Sequence, residues 1–172
     1  MTQSLKSQMP ALARAFRMKA DGLYERQRAL VREGLLESKP GHGPGSGVRA
    51  TPDSVAMLLI SLLSSVNLTD TASSTREMAK AMPVDGKCPF TGATNLRDAL
   101  AKILSVPSLL DRMTRLSITG LAGSAEIGFR RNRVSAFKAP ELEKHGVQFT
   151  LSLDFEELPD IDSIMAGIMG GE

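Results

Sequence analysis

Aromatic side chains are scarce in this chain: its 172 residues include no tryptophan, one tyrosine and six phenylalanines. Proteins that bind single-stranded nucleic acid, and many sugar-binding proteins, stack their ligands on exposed aromatic rings. The composition therefore argues against both classes. Hydrophobic residues still make up 42% of the chain, which is enough for a buried core and excludes a disordered or collagen-like protein.

Cysteines and long apolar runs are scarce as well. The single cysteine, Cys88, cannot form an intramolecular disulfide, and residues 1–10 hold no apolar run of the kind found in a signal peptide. The longest apolar stretch, residues 55–63, is nine residues long, whereas a membrane-spanning helix needs about 20. We therefore expect a cytoplasmic protein that does not contact a membrane.

Charge is nearly balanced over the whole chain but unevenly distributed along it. The formal net charge is +2. Residues 1–50 contain nine basic and four acidic side chains and so carry +5, whereas residues 51–172 carry −3. This segregation indicates that the basic part and the acidic part have different roles.

Hydrophobic spacing predicts two helices in the basic part. Apolar residues recur at i, i+3, i+4 over residues 10–16, and a second periodic run covers residues 23–33 after a turn. Gly34 then fits a helix C-cap. Glycine occupies every second position in the middle of residues 38–49, which predicts a flexible loop or the tip of a hairpin flanked by residues 35–38 and 48–50.

The remaining residues predict further helices and then strands. Thr51-Pro52-Asp53 is a strong helix start, and the helix over residues 55–63 is apolar on several faces, so it packs in the core or against another subunit. Moderate helices follow at residues 74–82 and 95–103, and a short one at 107–113. Period-two spacing then predicts four strands, marked by Leu116/Ile118, Ile127/Phe129, Val134/Phe137 and Val147/Phe149/Leu151/Leu153.

Two short features complete the pattern. Arg131-Asn132 fits a two-residue hairpin turn between the second and third strands. In the tail, Ile161, Ile164, Met165, Ile168 and Met169 form an amphipathic helical stripe behind a group of acidic residues. That stripe either docks on the chain's own core or binds a protein partner or a second copy.

The basic part resembles the winged helix-turn-helix of bacterial transcriptional regulators over about residues 12–50. The most specific part of the resemblance is Arg32-Glu33-Gly34-Leu35-Leu36, which ends the second helix and precedes the glycine-rich stretch. The resemblance implies that residues 23–32 are the recognition helix and residues 39–49 the wing. It also implies a local core of Leu12, Ala15, Phe16, Met18, Leu23, Leu30, Leu35 and Leu36.

The residue types agree with a DNA-binding role. A recognition helix needs a polar, partly basic outer face, and Arg and Gln suit bidentate contacts with guanine and adenine. The spacing is taken to place four polar side chains away from Leu23 and Leu30, namely Tyr24, Arg26, Gln27 and Arg28. Phosphate or minor-groove contacts are assigned to the basic residues around them. The predicted DNA-binding residues are Lys19, Tyr24, Arg26, Gln27, Arg28, Arg32, Lys39, His42 and Arg49.

No catalytic, cofactor or metal site is expected. The alternating glycines lack the strand-before, helix-after setting of a dinucleotide loop. His42 and His145 are far apart in sequence and Cys88 is alone, so no metal-ligand spacing exists. The sequence thus offers no support for an enzyme or a ligand sensor built on the four strands.

The sequence predicts an α+β chain with an N-terminal winged helix-turn-helix followed by helices and a small antiparallel β-sheet. The expected regions are residues 1–50 for DNA binding, 51–113 as a helical core or dimerisation region, 114–154 as the β region, and 155–172 as an acidic, amphipathic tail. The expected function is a homodimeric, sequence-specific regulator that binds double-stranded DNA. The alternative is an adaptor or oligomeric structural protein whose basic half binds an acidic protein partner. In a third interpretation the basic helices bind nothing and are only a solvent-exposed surface.

Overall fold

Helices dominate the first two thirds of the chain and strands the last third. The computed structural model describes residues 3–41, 46–120, 123–140, 149–158 and 160–170. The helices in these residues are α1 (Leu5–Ala15), α2 (Ala20–Arg32), α3 (Pro52–Ser64), α4 (Thr71–Ala79), α5 (Leu96–Ser105), α6 (Pro107–Leu110) and α7 (Ile161–Met169). The strands are β1 (Met82–Pro83), β2 (Met113–Gly120), β3 (Ser124–Phe129), β4 (Arg133–Lys138) and β5 (Phe149–Asp154). The predicted α+β class is confirmed.

The strands form one antiparallel sheet in the order β1-β4-β3-β2-β5. Side chains alternate along β2, where Leu116 and Ile118 are buried and Arg115 is exposed, because successive residues of a strand point to opposite faces. α3 packs against β2 and β5. The four strands that the alternating pattern predicted are present over the described residues; Val147 lies outside them.

The connection between β3 and β4 is a hairpin turn through Arg131 and Asn132, but it is one residue longer than the predicted two-residue turn. Arg131 and Asn132 both have positive φ, 65° and 54°, which is the region that a tight hairpin turn requires. The last ladder pair is Phe129 with Arg133, so Arg130 also belongs to the loop and the connection has three residues.

α3 is the central helix of the fold. Thr51 and Ser54 form a capping box at its start, with Pro52 in the first turn, as the local sequence predicts. Ten of its thirteen residues are buried, and it contacts α2, α4, α5 and the sheet. Arg97 of α5 donates two hydrogen bonds of 2.6 and 2.7 Å to the carboxylate of Asp53, which raises the pKa of Arg97. Of the two predicted surroundings for this helix, the core is correct.

Two helix starts differ from the sequence prediction. α1 begins at Leu5 and contains Pro10 in its interior, whereas the pattern placed the start at the proline. Ser4 caps the helix by accepting a hydrogen bond of 3.2 Å from the backbone of Ser7, and burial of Leu5 and Met9 stabilises the extra turn. α2 likewise begins at Ala20, three residues before the predicted start.

The C-terminal helix α7 docks on the chain's own core. Four of the five residues of the predicted stripe are buried, Ile161, Ile164, Met165 and Ile168, and Met169 is half-buried. α7 contacts α1, α3, α5 and α6. Arg17, at the turn between α1 and α2, also lies 3.3 Å from the carboxylate of Glu157 just before this helix. The docked alternative is therefore correct, and the stripe is not an open surface for a partner.

The short edge strand β1 was not expected. The sequence predicted that the helix before it continues to residue 82, but α4 ends at Ala79. Met82 and Pro83 instead pair with Lys138 and Phe137 of β4. Proline is tolerated there because β1 lies at the edge of the sheet. No helix in the described part of the chain is long and apolar enough to cross a membrane.

Gly34 has the conformation that its predicted role as a helix C-cap requires. Its φ is +69°, and the backbone N–H of Leu35 donates to the carbonyl of Leu30 over 2.8 Å, which closes a Schellman motif. Because a side chain in the left-handed region costs about 1 to 2 kcal/mol, we expect Gly34→Ala to lower the free energy of unfolding by about 1 kcal/mol. Urea denaturation measures it; an unchanged midpoint would contradict this assignment.

Candidate nucleic-acid interface

A cleft of about 790 Å³ lies between α2, the start of α1 and the two arms of the glycine-rich loop. α2 forms one wall and the loop arms, residues 38–41 and 46–48, form another. Ser4 at the N-cap of α1, Lys6 of α1 and Leu68 of the α3–α4 connection also line the cleft. The helix and the loop that the sequence assigned to DNA binding therefore face one shared cavity.

Backbone hydrogen bonds hold the walls of this cleft together. Lys39 and Gly47 exchange a pair of them, 3.0 and 2.8 Å long, across the base of the glycine-rich loop. The second arm of the loop is tied in turn to the start of the chain, because Leu5 donates to the carbonyl of Val48 over 2.7 Å and Ala50 donates to that of Gln3 over 3.0 Å. The described arms of the loop thus form the base of a hairpin, which was one of the two predicted conformations.

The charge in the cleft is strongly positive. Among the described residues, its charged lining residues are Lys6, Glu25, Arg28, Arg32 and Lys39, four cations and one carboxylate. Glu25 is engaged by Arg28 at 3.0 Å, and that exposed pair contributes little to stability. Lys6, Arg32 and Lys39 make no ion pair with any residue that the structure describes. Several unneutralised cations along one open cavity attract an extended polyanion.

Tyr24, the only tyrosine, lies in the same cleft next to Lys6. The Lys6 ammonium nitrogen is 5.3 Å from the centroid of the Tyr24 ring, which is within the range of a cation–π interaction. The Tyr24 side chain is half-buried. The ring therefore lies against the Lys6 ammonium group and does not project freely into solvent.

Arg26 is buried, so the prediction that it faces outward from α2 is wrong. Arg26 is only 8% exposed and does not line the cleft. Its guanidinium group donates to the carbonyls of Ser61 and Ser65 over 2.6 and 3.1 Å, and to the hydroxyls of Ser65 and Thr71 over 3.1 and 3.2 Å. Burial lowers the pKa of Arg26. The side chain joins α2 to the C-terminal end of α3 and the start of α4.

Gln27 was also expected to project outward, and it does not. It is 7% exposed, and its side-chain oxygen is buried without a hydrogen-bond partner among the described residues. Part of its side chain forms the floor of the cleft. The reason for both corrections is the helix period: Leu23, Arg26, Gln27 and Leu30 are spaced i, i+3, i+4, i+7 and lie on one buried face.

The other predicted residues fall into three groups. Arg28, Arg32 and Lys39 are exposed and line the cleft with Tyr24. Lys19 is exposed at the N-cap of α2, outside the cleft lining. Arg49 lines a separate cavity shared with Asp53 and Arg97, and His42 lies outside the described residues. The structure thus brings five of the nine predicted side chains to one cleft, Gln27 only as its floor.

Lys6 is the cleft residue that sequence reasoning missed. It precedes the predicted first helix, and nothing in its immediate sequence distinguishes it from any exposed lysine. Its position depends on the early start of α1 at Leu5 and on the contact of that start with Val48. The contact with Val48 joins residues far apart in the chain, so local pattern carried no signal for it. The helix start did have a local signal, in the Ser4 cap and in the i, i+4 spacing of Leu5 and Met9.

Comparison of the chain with protein-family models, with curated proteins and with solved structures found no match to any of the three.

Proposed function

We propose that this chain is a sequence-specific regulator that binds double-stranded DNA in the bacterial cytoplasm. In this proposal the N-terminal segment acts as a winged helix-turn-helix: α2 enters the major groove, and the glycine-rich loop contacts the backbone or the minor groove. The observation that carries the proposal is the open cleft between these two elements, lined by four cations and a single carboxylate. Phosphate-rich duplex DNA is the extended polyanion that such a surface suits.

The geometry changes which side chains are proposed to read bases. The exposed stripe of α2 carries Asp21, Glu25, Arg28 and Arg32, and Arg28 is its central cation. The Glu25–Arg28 pair is exposed on both sides, so exchanging it for a guanine edge costs little. We assign base reading to Arg28 and backbone phosphate contacts to Arg32 and Lys39. Phosphate contacts set affinity and register, while base contacts set sequence preference.

Selection of bound duplexes from a random library is the first test, followed by binding of Arg28→Ala to the selected site and to a scrambled one. We expect about a tenfold loss on the selected duplex, because a bidentate base contact contributes about 1 to 3 kcal/mol. The loss on scrambled duplex is expected to be smaller. Fluorescence anisotropy with a labelled duplex measures both affinities.

Arg112→Ala is the matched control, because Arg112 is an exposed arginine outside the cleft. It is expected to change neither affinity appreciably. Equal losses for Arg28→Ala on both duplexes would remove the base-reading role. Failure of the wild-type protein to select any duplex would contradict the proposed function, and capture of an acidic protein without duplex binding would support the adaptor alternative.

A homodimer remains part of the proposal, since one recognition helix covers only a short stretch of DNA. α3 and α7, the two helices that the sequence offered for self-association, are both buried against the chain itself. A dimer would therefore use another surface. Two-fold symmetry and half-site spacing in the selected duplexes would report it directly.

A further inference from the structure

Lys6 has a fixed position relative to the glycine-rich loop. The backbone of its neighbour Leu5 is bonded to Val48, and Val48 directly follows Gly47, the partner of Lys39 in the loop. Lys6 and Lys39 are thus carried by backbone segments that are hydrogen-bonded into one unit, and both line the cleft. The cleft therefore has a cation on α1 as well as those on α2 and the loop.

The Tyr24 ring restricts where the Lys6 ammonium group lies. A lysine carries its strongly hydrated ammonium group on a flexible four-carbon stem, so the ammonium of an exposed lysine ordinarily samples many positions. Here the ammonium nitrogen is 5.3 Å from the ring centroid. The ring attracts the ammonium by its negative face, while the N–H groups directed away from the ring remain available to an anion.

We propose that Lys6 contacts a backbone phosphate of the bound duplex and that Tyr24 is its positioning residue. This inference rests on the proposed function of the cleft and adds to it a phosphate contact from α1. It also changes the role of Tyr24, which the sequence assigned to DNA directly. A ring under a lysine has that face covered, so its effect on binding passes through Lys6.

The other charges in the cleft agree with a phosphate at this position. Among the described residues of the lining, Glu25 is the single carboxylate against four cations, so the cleft stays positive when Arg28 leaves Glu25 for a base. The cations are spread over α1, α2 and the loop, a distribution that suits successive phosphates of a backbone. A free phosphate ion offers the same chemistry, so the experiment includes it as a competitor.

The test is the salt dependence of duplex binding by Lys6→Ala. Each lost phosphate contact reduces the slope of log K against log salt by about 0.9, which corresponds to about a fivefold loss of affinity at 0.15 M salt and no loss by extrapolation to 1 M. Lys6→Arg is expected to retain the slope, because arginine also contacts phosphate and aromatic rings. Lys87→Ala, an exposed lysine outside the cleft, is the matched control and is expected to leave the slope unchanged.

Tyr24→Leu tests the positioning role, with Tyr24→Phe as the variant that keeps the ring. We expect Tyr24→Leu to weaken binding by at most the Lys6→Ala loss, Tyr24→Phe to restore it, and the double variant Lys6→Ala/Tyr24→Leu to bind no worse than Lys6→Ala alone. Additive losses would show that Tyr24 contacts DNA independently and would overturn the positioning role. Should Tyr24→Leu fail to fold, the comparison of Tyr24→Ser with Tyr24→Phe in the Lys6→Ala background decides the same question.

The failures of the two proposals are distinguishable. If the wild-type protein binds duplex and Lys6→Ala keeps its slope, Lys6 is not a phosphate contact and the proposed function is unaffected. If the wild-type protein binds no duplex, the proposed function fails and this inference fails with it. Displacement of duplex by inorganic phosphate at constant ionic strength would show a site for a free anion and would overturn the backbone assignment.

Discussion

Replacing Arg26 with alanine is expected to lower the free energy of unfolding by about 3 kcal/mol, and the melting temperature by about 6 to 12 °C for a chain of this size. The reason is that the guanidinium group supplies the hydrogen-bond donors for the carbonyls of Ser61 and Ser65. Both acceptors lie at the buried C-terminal end of α3. Each buried acceptor left without a donor costs about 1 to 3 kcal/mol.

The mutation to alanine also has a stabilising contribution, but this contribution is smaller than the stability lost with the hydrogen bonds. Alanine removes a buried cation, whose desolvation is unfavourable and lowers the pKa of Arg26. The mutation also removes the guanidinium donor from the hydroxyls of Ser65 and Thr71. These two hydroxyls still form a hydrogen bond of 3.0 Å with each other. Among the described residues the carbonyl of Ser65 has no such replacement, and that of Ser61 keeps only a longer hydrogen bond of 3.4 Å from the Ser65 hydroxyl. The volume of the arginine side chain is left as a cavity.

Urea denaturation of Arg26→Ala beside Arg28→Ala checks the prediction. Arg28 is two residues along the same helix and exposed, so its loss is expected to change stability by less than about 0.5 kcal/mol. Equal denaturation midpoints for the two variants would mean that the buried guanidinium adds nothing to stability. Per folded molecule, Arg26→Ala is expected to bind duplex like the wild type, which is the opposite of what a base-reading residue would give.

The helix period decides which residues of α2 are buried. The spacing of Leu23, Arg26, Gln27 and Leu30 follows the helix period and places all four on the buried face, as the structure has them. The sequence interpretation placed Arg26 and Gln27 away from the Leu23 and Leu30 side by spacing, but positions i+3 and i+4 from Leu23 lie on that same side. A buried arginine is acceptable there because carbonyls at a helix end receive its hydrogen bonds.

Elements defined by neighbouring residues were predictable, and elements defined by distant ones were not. The capping box of Thr51 and Ser54 and the C-cap at Gly34 are local, and both are present. The strand β1 exists only because Met82 and Pro83 meet β4 more than fifty residues later. Lys6 joins the cleft for the same reason, through Val48. The two main walls of the candidate cleft could therefore be found from sequence, but its full set of lining side chains could not.

Gly120→Ala is expected to destabilise the fold by about 2 kcal/mol, which corresponds to a fall of about 4 to 8 °C in melting temperature. Gly120 pairs with Phe149 across β2 and β5, and a Cβ atom at Gly120 would overlap the ring of Phe149 more closely than two carbon atoms can approach. The φ of Gly120 is not in the left-handed region. The cost therefore arises from displacement of the ring, and the backbone conformation itself tolerates alanine.

Two further variants isolate that cause. Gly167 lies in α7 with open space where its Cβ would be, so Gly167→Ala is expected to stabilise the protein by about 0.5 to 1 kcal/mol through helix propensity and reduced chain entropy. In a Phe149→Ala background the obstructing ring is absent, and Gly120→Ala is expected to cost less than about 0.5 kcal/mol. A full cost in that background, measured by a double-mutant cycle in urea, would show that something other than the Phe149 ring requires glycine at this position. The expected non-additivity would instead establish that the ring of Phe149 takes the place of a side chain at Gly120 on the inner face of the sheet.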